Sequence, residues 1–162
     1  MGICSKGNAA VVGDMDDLHS YLIVLDEQGQ LQWMKTLGFV FSTGLPVPAD
    51  IDSNDSLEIL VPVRNDKSSS TPDSAGSLCL FSETGDLVTT YSWGGDKHRW
   101  VKTLTVLPAH GNSEQIFVAA YNDGCIATYD KTLTPMAECS SAGPLDLISL
   151  VDILDTGDRQ IL

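Results

Sequence analysis

Four acidic side chains fall within nine positions of the stretch 49-ADIDSNDSLEILV-61: Asp50, Asp52, Asp55 and Glu58. Carboxylates packed this closely repel one another. The stretch is therefore either a solvated polar turn or a seat for something positive. The chemistry such a seat could do is capture of a hard divalent cation, which takes several oxygen ligands at about 2.3–2.6 Å.

A second group has the opposite character. The connector 93-WGGDKHRWVK-102 gathers Trp93, Lys97, His98, Arg99, Trp100 and Lys102 in an acidic chain. Trp and Arg are favoured interface anchors, so Trp93, Lys97, His98, Arg99 and Trp100 form a candidate interaction patch. The alternative is a Trp packed in the interior with its charged neighbours in water. Nothing else is arranged for catalysis. His19, His98 and His110 lie in separate turns, and no Ser/His/Asp, Cys/His, GxGxxG, Walker or HExxH pattern appears. No catalytic residue is nominated. Cys4, Cys79, Cys125 and Cys139 form no CxxC pair, which argues against zinc. Cys79 and Cys125 sit in apolar runs, where a thiol behaves as a small hydrophobe.

The whole chain sets the electrostatic background. Its 162 residues carry 9 Lys plus Arg against 22 Asp plus Glu, a net charge of −13. Such a surface repels phosphate backbones and anionic headgroups, so nucleic acid is not an expected partner. It suits divalent cations and basic partners. A hydrophobic content of 43% is that of a globular protein. No apolar stretch is long enough for a membrane span. The segment 1-MGICSKGNAA-10 has no apolar core of a signal peptide, and Lys6 stands where an acylation signal needs a hydroxyl.

The elements that must position these residues repeat. Glu58-Ile59-Leu60, Gln115-Ile116-Phe117 and Gln160-Ile161-Leu162 each follow a polar turn, with 9-AAVV-12 as a weaker copy. Val11, Ile59, Ile116 and Ile161 are taken as equivalent, and 64-RNDKSSSTPDSAG-76 as an inserted loop. The second copy reads as four strands: 39–49, 57–63, 78–82 and 86–93. The first has strands at 21–26 and 30–38, and the third at 101–108, 115–121, 124–130 and 135–141. Consecutive apolar positions in several strands imply that both faces of a sheet are covered.

The expectation is an all-β chain of β-propeller blades, each a four-stranded antiparallel meander. About three and a half blades are present: a partial one at 3–38, complete ones at 39–93 and 100–141, and a partial one at 145–162. The first copy is expected to lack a first strand ahead of 9-AAVV-12. The competing expectation, a β-sandwich, predicts no four-strand superperiod. Three and a half blades imply an incomplete propeller, closed by the remaining blades of a longer chain or by a second copy. In such blades the acidic loop lies on one rim. The connector patch and the 64–76 insertion share the other.

At Asp50-Ile-Asp52-Ser-Asn54-Asp55-Ser56-Leu-Glu58 the sequence resembles the D-x-D-x-D-G-x-x-[DE] hairpin of FG-GAP/VCBS repeats, the blades of integrin-α-type propellers. The resemblance implies a structural calcium ion held by Asp50, Asp52 and Asn54 side chains, the Ser56 carbonyl and Glu58. It also implies a non-catalytic binding or adhesion scaffold, extracellular or at the cell surface, for a protein or carbohydrate ligand. Two positions depart from the pattern: Asn54 replaces a carboxylate, and Asp55 takes the glycine position. The copy at Asp152–Gln160 has Leu154 where a ligand belongs, and 107-LPAHGNSEQ-115 has no ligand set.

A weaker resemblance is carried by 22-LIVLDEQGQLQWMKTLG-38, which is similar to the repeat of PQQ-type quinoprotein propellers. It implies that Trp33 docks one blade on the next. The alternative function is therefore a fragment of a propeller enzyme, quinoprotein-like or polysaccharide-lyase-like, with its catalytic residues mostly elsewhere.

Overall fold

The computed structural model of the chain describes residues 2–3, 9–16, 19–37, 40–41, 46–51, 54, 56–65, 76–93, 99–107, 115–140, 150–151 and 160–161. Among them there is no helix. The first sheet is β1 (Gly2–Ile3), β2 (Ala9–Asp16), β3 (His19–Leu25) and β4 (Leu31–Thr36), in that order. The second is built on β7 (Glu58–Asn65), β8 (Ser77–Phe81) and β9 (Leu87–Ser92), with β5 (Val40–Phe41) and β6 (Val47–Ala49) both pairing with β7. The third is β10 (Val101–Leu107), β11 (Ile116–Tyr121), β12 (Cys125–Tyr129) and β13 (Pro135–Ser140). A final hairpin pairs β14 (Leu150–Val151) with β15 (Gln160–Ile161). All of these pairings are antiparallel and, apart from β5 with β7, join strands consecutive in the chain.

One expectation needs correction. The first sheet does have a first strand: Gly2 and Ile3 pair with Ala10 and Ala9. Too short and too little apolar to show a pattern, that strand is invisible in the sequence. Within the strand expected over 39–49, β6 pairs with Glu58–Leu60 of β7 and β5 with Arg64–Asn65, while residues 42–45 lie outside the described residues. Pro62 of β7 pairs in register with Leu78 and is fully buried.

The third-to-fourth hairpin of each sheet is the same structure three times. Its five-residue turns are 26–30, 82–86 and 130–134, closed by the pairs Leu25–Leu31, Phe81–Leu87 and Tyr129–Pro135, each beside a bulge. In each, the fourth residue donates its N–H to the carbonyl of the first: Gly29 to Asp26, Gly85 to Ser82, Leu133 to Asp130. A polar first residue supports the turn. Asp26 Oδ1 accepts from the amides of Gln28 and Gln30, Ser82 Oγ from that of Asp86, and Asp130 Oδ1 from those of Thr132 and Thr134. The fourth residue must adopt left-handed φ, which glycine does at +77° and +84°. Leu133 does it at +63°.

These turns fix the alignment of the copies. Leu25, Phe81 and Tyr129 are equivalent, and their second-strand partners are Ala9, Ile59 and Phe117. The expected match of Val11 and Ile116 to Ile59 is thus displaced, by two residues in the first sheet and one in the third. A one-residue slip reverses the face a side chain presents. Ile116 sits on the trailing face, whereas Phe117 and Ile59 point back toward the preceding sheet.

With that register, the sheets stack in chain order. Leu22 and Val24 of the first sheet pack against Ile59, Val61, Val63 and Phe81 of the second. The opposite face of the second sheet offers Leu60, Leu78 and Leu80 to Phe117, Ala119, Tyr121, Ala127 and Tyr129 of the third. Val118 and Ala120 occupy the far face of the third sheet, also fully buried. Consecutive residues of β7 and β11 are therefore buried on both faces, as expected from their unbroken apolar runs. Each fully buried Leu, Val or Phe contributes about 1.5–3 kcal/mol relative to exposure. Burial fades toward the fourth strands. β4 and β9 alternate between exposed and half-buried, and β13 is exposed along its whole length.

Candidate functional site

The acidic loop joins β6 to β7, with Ala49 and Glu58 as its closing pair. Ile51 holds the loop down, buried in the core between the second and third sheets. Oxygens of three of the nominated ligands accept loop amides. Glu58, itself buried, accepts the Ile51 N–H at 3.0 Å. Asp50 Oδ1 accepts the Asn54 N–H at 3.0 Å, and Asn54 Oδ1 accepts the Ser56 N–H at 2.7 Å. These bonds tie Asp50 to Asn54, Asn54 to Ser56, and Glu58 to Ile51; Asp52 and Asp55 lie outside the described residues. Among those described, no three His, Cys, Asp or Glu side chains gather as an ion-binding group. Two carboxylates and an amide oxygen are hard donors, a set that fits calcium and does not fit zinc.

The connector patch resolves differently. Trp93 is buried, with its Nε1–H donating to the Arg99 carbonyl at 2.8 Å. Its ring lies over Gly76, where an added Cβ would collide with Cζ2, so only glycine permits this approach. The indole also meets Tyr121 edge-on, at 5.3 Å between centroids. Arg99 is only 17% exposed, its guanidinium 4.0 Å above the Tyr121 ring. Its Nη2 donates to Glu138 Oε1 at 3.0 Å, while its buried Nε is 3.3 Å from Asp123 Oδ2 but off line for a hydrogen bond. Trp100 is half-buried and exchanges two hydrogen bonds with Asn122. Lys97 and His98 lie outside the described residues. Trp93 and Arg99 are therefore interior packing between two sheets, not exposed anchors.

Sequence reasoning did not find the partners of Arg99. Tyr121, Asp123 and Glu138 stand far along the chain, and only the sheet register brings them to it. Around them the titrating groups move away from reactivity. Burial pushes the Cys125 thiol up to about 12, helped by its hydrogen bond to Glu138. Burial likewise raises Tyr129 to about 12, against the hydrogen bond it shares with the Tyr121 hydroxyl, and raises Tyr121 further. A thiol so shifted is not a nucleophile near neutrality.

Trp33 is a third site. From the first sheet it reaches the turn of the second, donating Nε1–H to the Glu83 carbonyl at 2.7 Å. Its six-membered ring covers Gly85, where a Cβ would meet it at 2.9 Å. The docking expected of Trp33 is present.

No protein-family model matches the chain, and neither does any curated protein.

Proposed function

We propose that the chain is a run of β-propeller blades of the FG-GAP/VCBS kind, acting as a non-catalytic binding or adhesion scaffold for a protein or carbohydrate ligand. The observation that carries this reading is the shared register of three antiparallel meanders that stack in chain order, the second packing one face on the first and the other on the third. A radial arrangement is supported by the first strands, since β6 lies beside both β1 and β10, while the fourth strands are the exposed ones.

In this reading the acidic loop holds a structural calcium ion through Asp50, Asp52, Asn54 and Glu58 side chains and the Ser56 carbonyl. The ion would fasten the β6–β7 hairpin, and the family resemblance puts such a scaffold at the cell surface or outside it. Thermal melts with and without millimolar calcium test this, on the wild type and on Asp52→Ala. Calcium should raise the wild-type midpoint and leave the variant where it was. Equal shifts in both, or none in either, remove calcium from the loop.

The second reading, a fragment of a quinoprotein-like or polysaccharide-lyase-like propeller enzyme, is favoured by the Trp33 contact with Glu83 and Gly85. Neighbouring sequence separates the two. Further D-x-D-x-D-G loops belong to the scaffold, and repeated Gly-x-x-x-Trp copies around a cofactor belong to the enzyme.

A further inference from the structure

The two departures from the cation loop fall in one tripeptide, Asn54-Asp55-Ser56, which is also an acceptor sequence for N-linked glycans. We infer that Asn54 is a glycosylation site. Asn54 and Ser56 lie between β6 and β7, and Asn54 is exposed there. Its Oδ1 accepts the Ser56 N–H at 2.7 Å, so the backbone brings residue 56 under the Asn54 amide. A glycan here would project from the rim, while the loop is anchored below by the buried Ile51 and Glu58. Asn54 takes no part in the sheet ladder, so a large substituent on Nδ2 does not disturb the pairing of Ala49 with Glu58.

The replacement of a carboxylate by an amide is what makes the reaction available. Nδ2 attacks the anomeric carbon of an oligosaccharide carried on a lipid diphosphate. The new N–C bond forms as the C–O bond to the diphosphate breaks; the lipid diphosphate leaves with the electron pair, and the amide proton passes to solvent. The inference rests on the extracellular reading of the proposed function and not on its calcium ion, since the carbonyl oxygen Oδ1 is retained, so the two fail separately.

Peptide mapping of the protein from its native source tests it. The peptide containing Asn54 should carry a hexosamine-based mass that peptide-N-glycosidase removes, leaving aspartate at that position. An unmodified Asn54 peptide overturns the inference. The chain secreted from cultured eukaryotic cells should also lose its glycosidase-sensitive mass in both Asn54→Gln and Ser56→Ala, and keep it in Ser56→Thr. A glycan that survives Asn54→Gln overturns the assignment, and because Ser56→Ala and Ser56→Thr differ by little in bulk, their contrast separates lost modification from misfolding.

Discussion

The junction between the first and second sheets and that between the second and third are built on the same turn but filled in opposite ways. At the first, a large side chain on the preceding sheet, Trp33, covers glycine at the left-handed position, Gly85. At the second, the register places Thr89 where Trp33 stood and Leu133 where Gly85 stood. Leu133 is buried in the shared core despite its positive φ. The same volume is supplied from whichever side has the room. A left-handed L-residue costs about 1–2 kcal/mol, which is less than or comparable to what a buried leucine contributes, about 1.5–3 kcal/mol.

The second junction also carries the aromatic cluster. Tyr91 packs on Tyr129 at 5.1 Å, Trp93 on Tyr121, and Arg99 lies over the Tyr121 ring. It should therefore be the stronger of the two. Tyr121→Ala is expected to cost about 3–5 kcal/mol, since it removes a fully buried ring and strands both Arg99 and the Tyr129 hydroxyl. Trp33→Ala, at a half-buried site, should cost less, about 2 kcal/mol. Denaturant titrations of the two variants compare them, and equal losses break the asymmetry.

The exchange of partners can be imposed on the first junction. Gly85→Leu alone should cost roughly 2–4 kcal/mol, from left-handed strain and the collision with Trp33. Adding Trp33→Thr, which reproduces the Thr89 and Leu133 arrangement, should recover at least half of that. Simple additivity in this double-mutant cycle would show that the two positions do not share a volume.

The smallest effect lies in acid. Glu138 is held below the ordinary carboxylate range chiefly by the hydrogen bond from the Cys125 thiol, against the opposing effect of burial and with further help from Arg99. A carboxylate lowered in the folded state lends its stability in full above the unfolded value, near pH 4.3, and loses it as pH falls through the folded one. The wild type should thus lose stability more steeply than Glu138→Gln below about pH 4. Glu138 is more than half exposed, so the difference at neutral pH should be slight. Parallel acid limbs would remove Glu138 from the clamp that ties the connector to the third sheet.

Much of this was legible in the chain itself. The strands β7, β11 and β12 show as apolar, β-branched runs between turn residues, and two of the three bulged turns announce themselves by Gly29 and Gly85. The third does not, because Leu133 adopts a conformation its side chain disfavours and tertiary burial compensates it. Ile116 invites alignment with Ile59 because both follow a polar turn, yet face is decided by hydrogen-bond register, and that assigns Phe117 instead. The acidic loop was visible as a constellation, and its folding back through Ile51, Asn54 and Ser56 amides was not. Composition likewise marked Arg99 and Trp93 as conspicuous without saying which way they point.

By itself, the sequence determined that this is an all-β chain of recurring four-strand units with covered sheets, since period, turn chemistry and apolar density are local properties. Only the tertiary structure decided that Trp93 and Arg99 turn inward, that Phe117 rather than Ile116 faces the second sheet, and that Leu133 takes a glycine's place. Each of those depends on a contact across tens of residues, where the energy of filling a shared volume outweighs local preference.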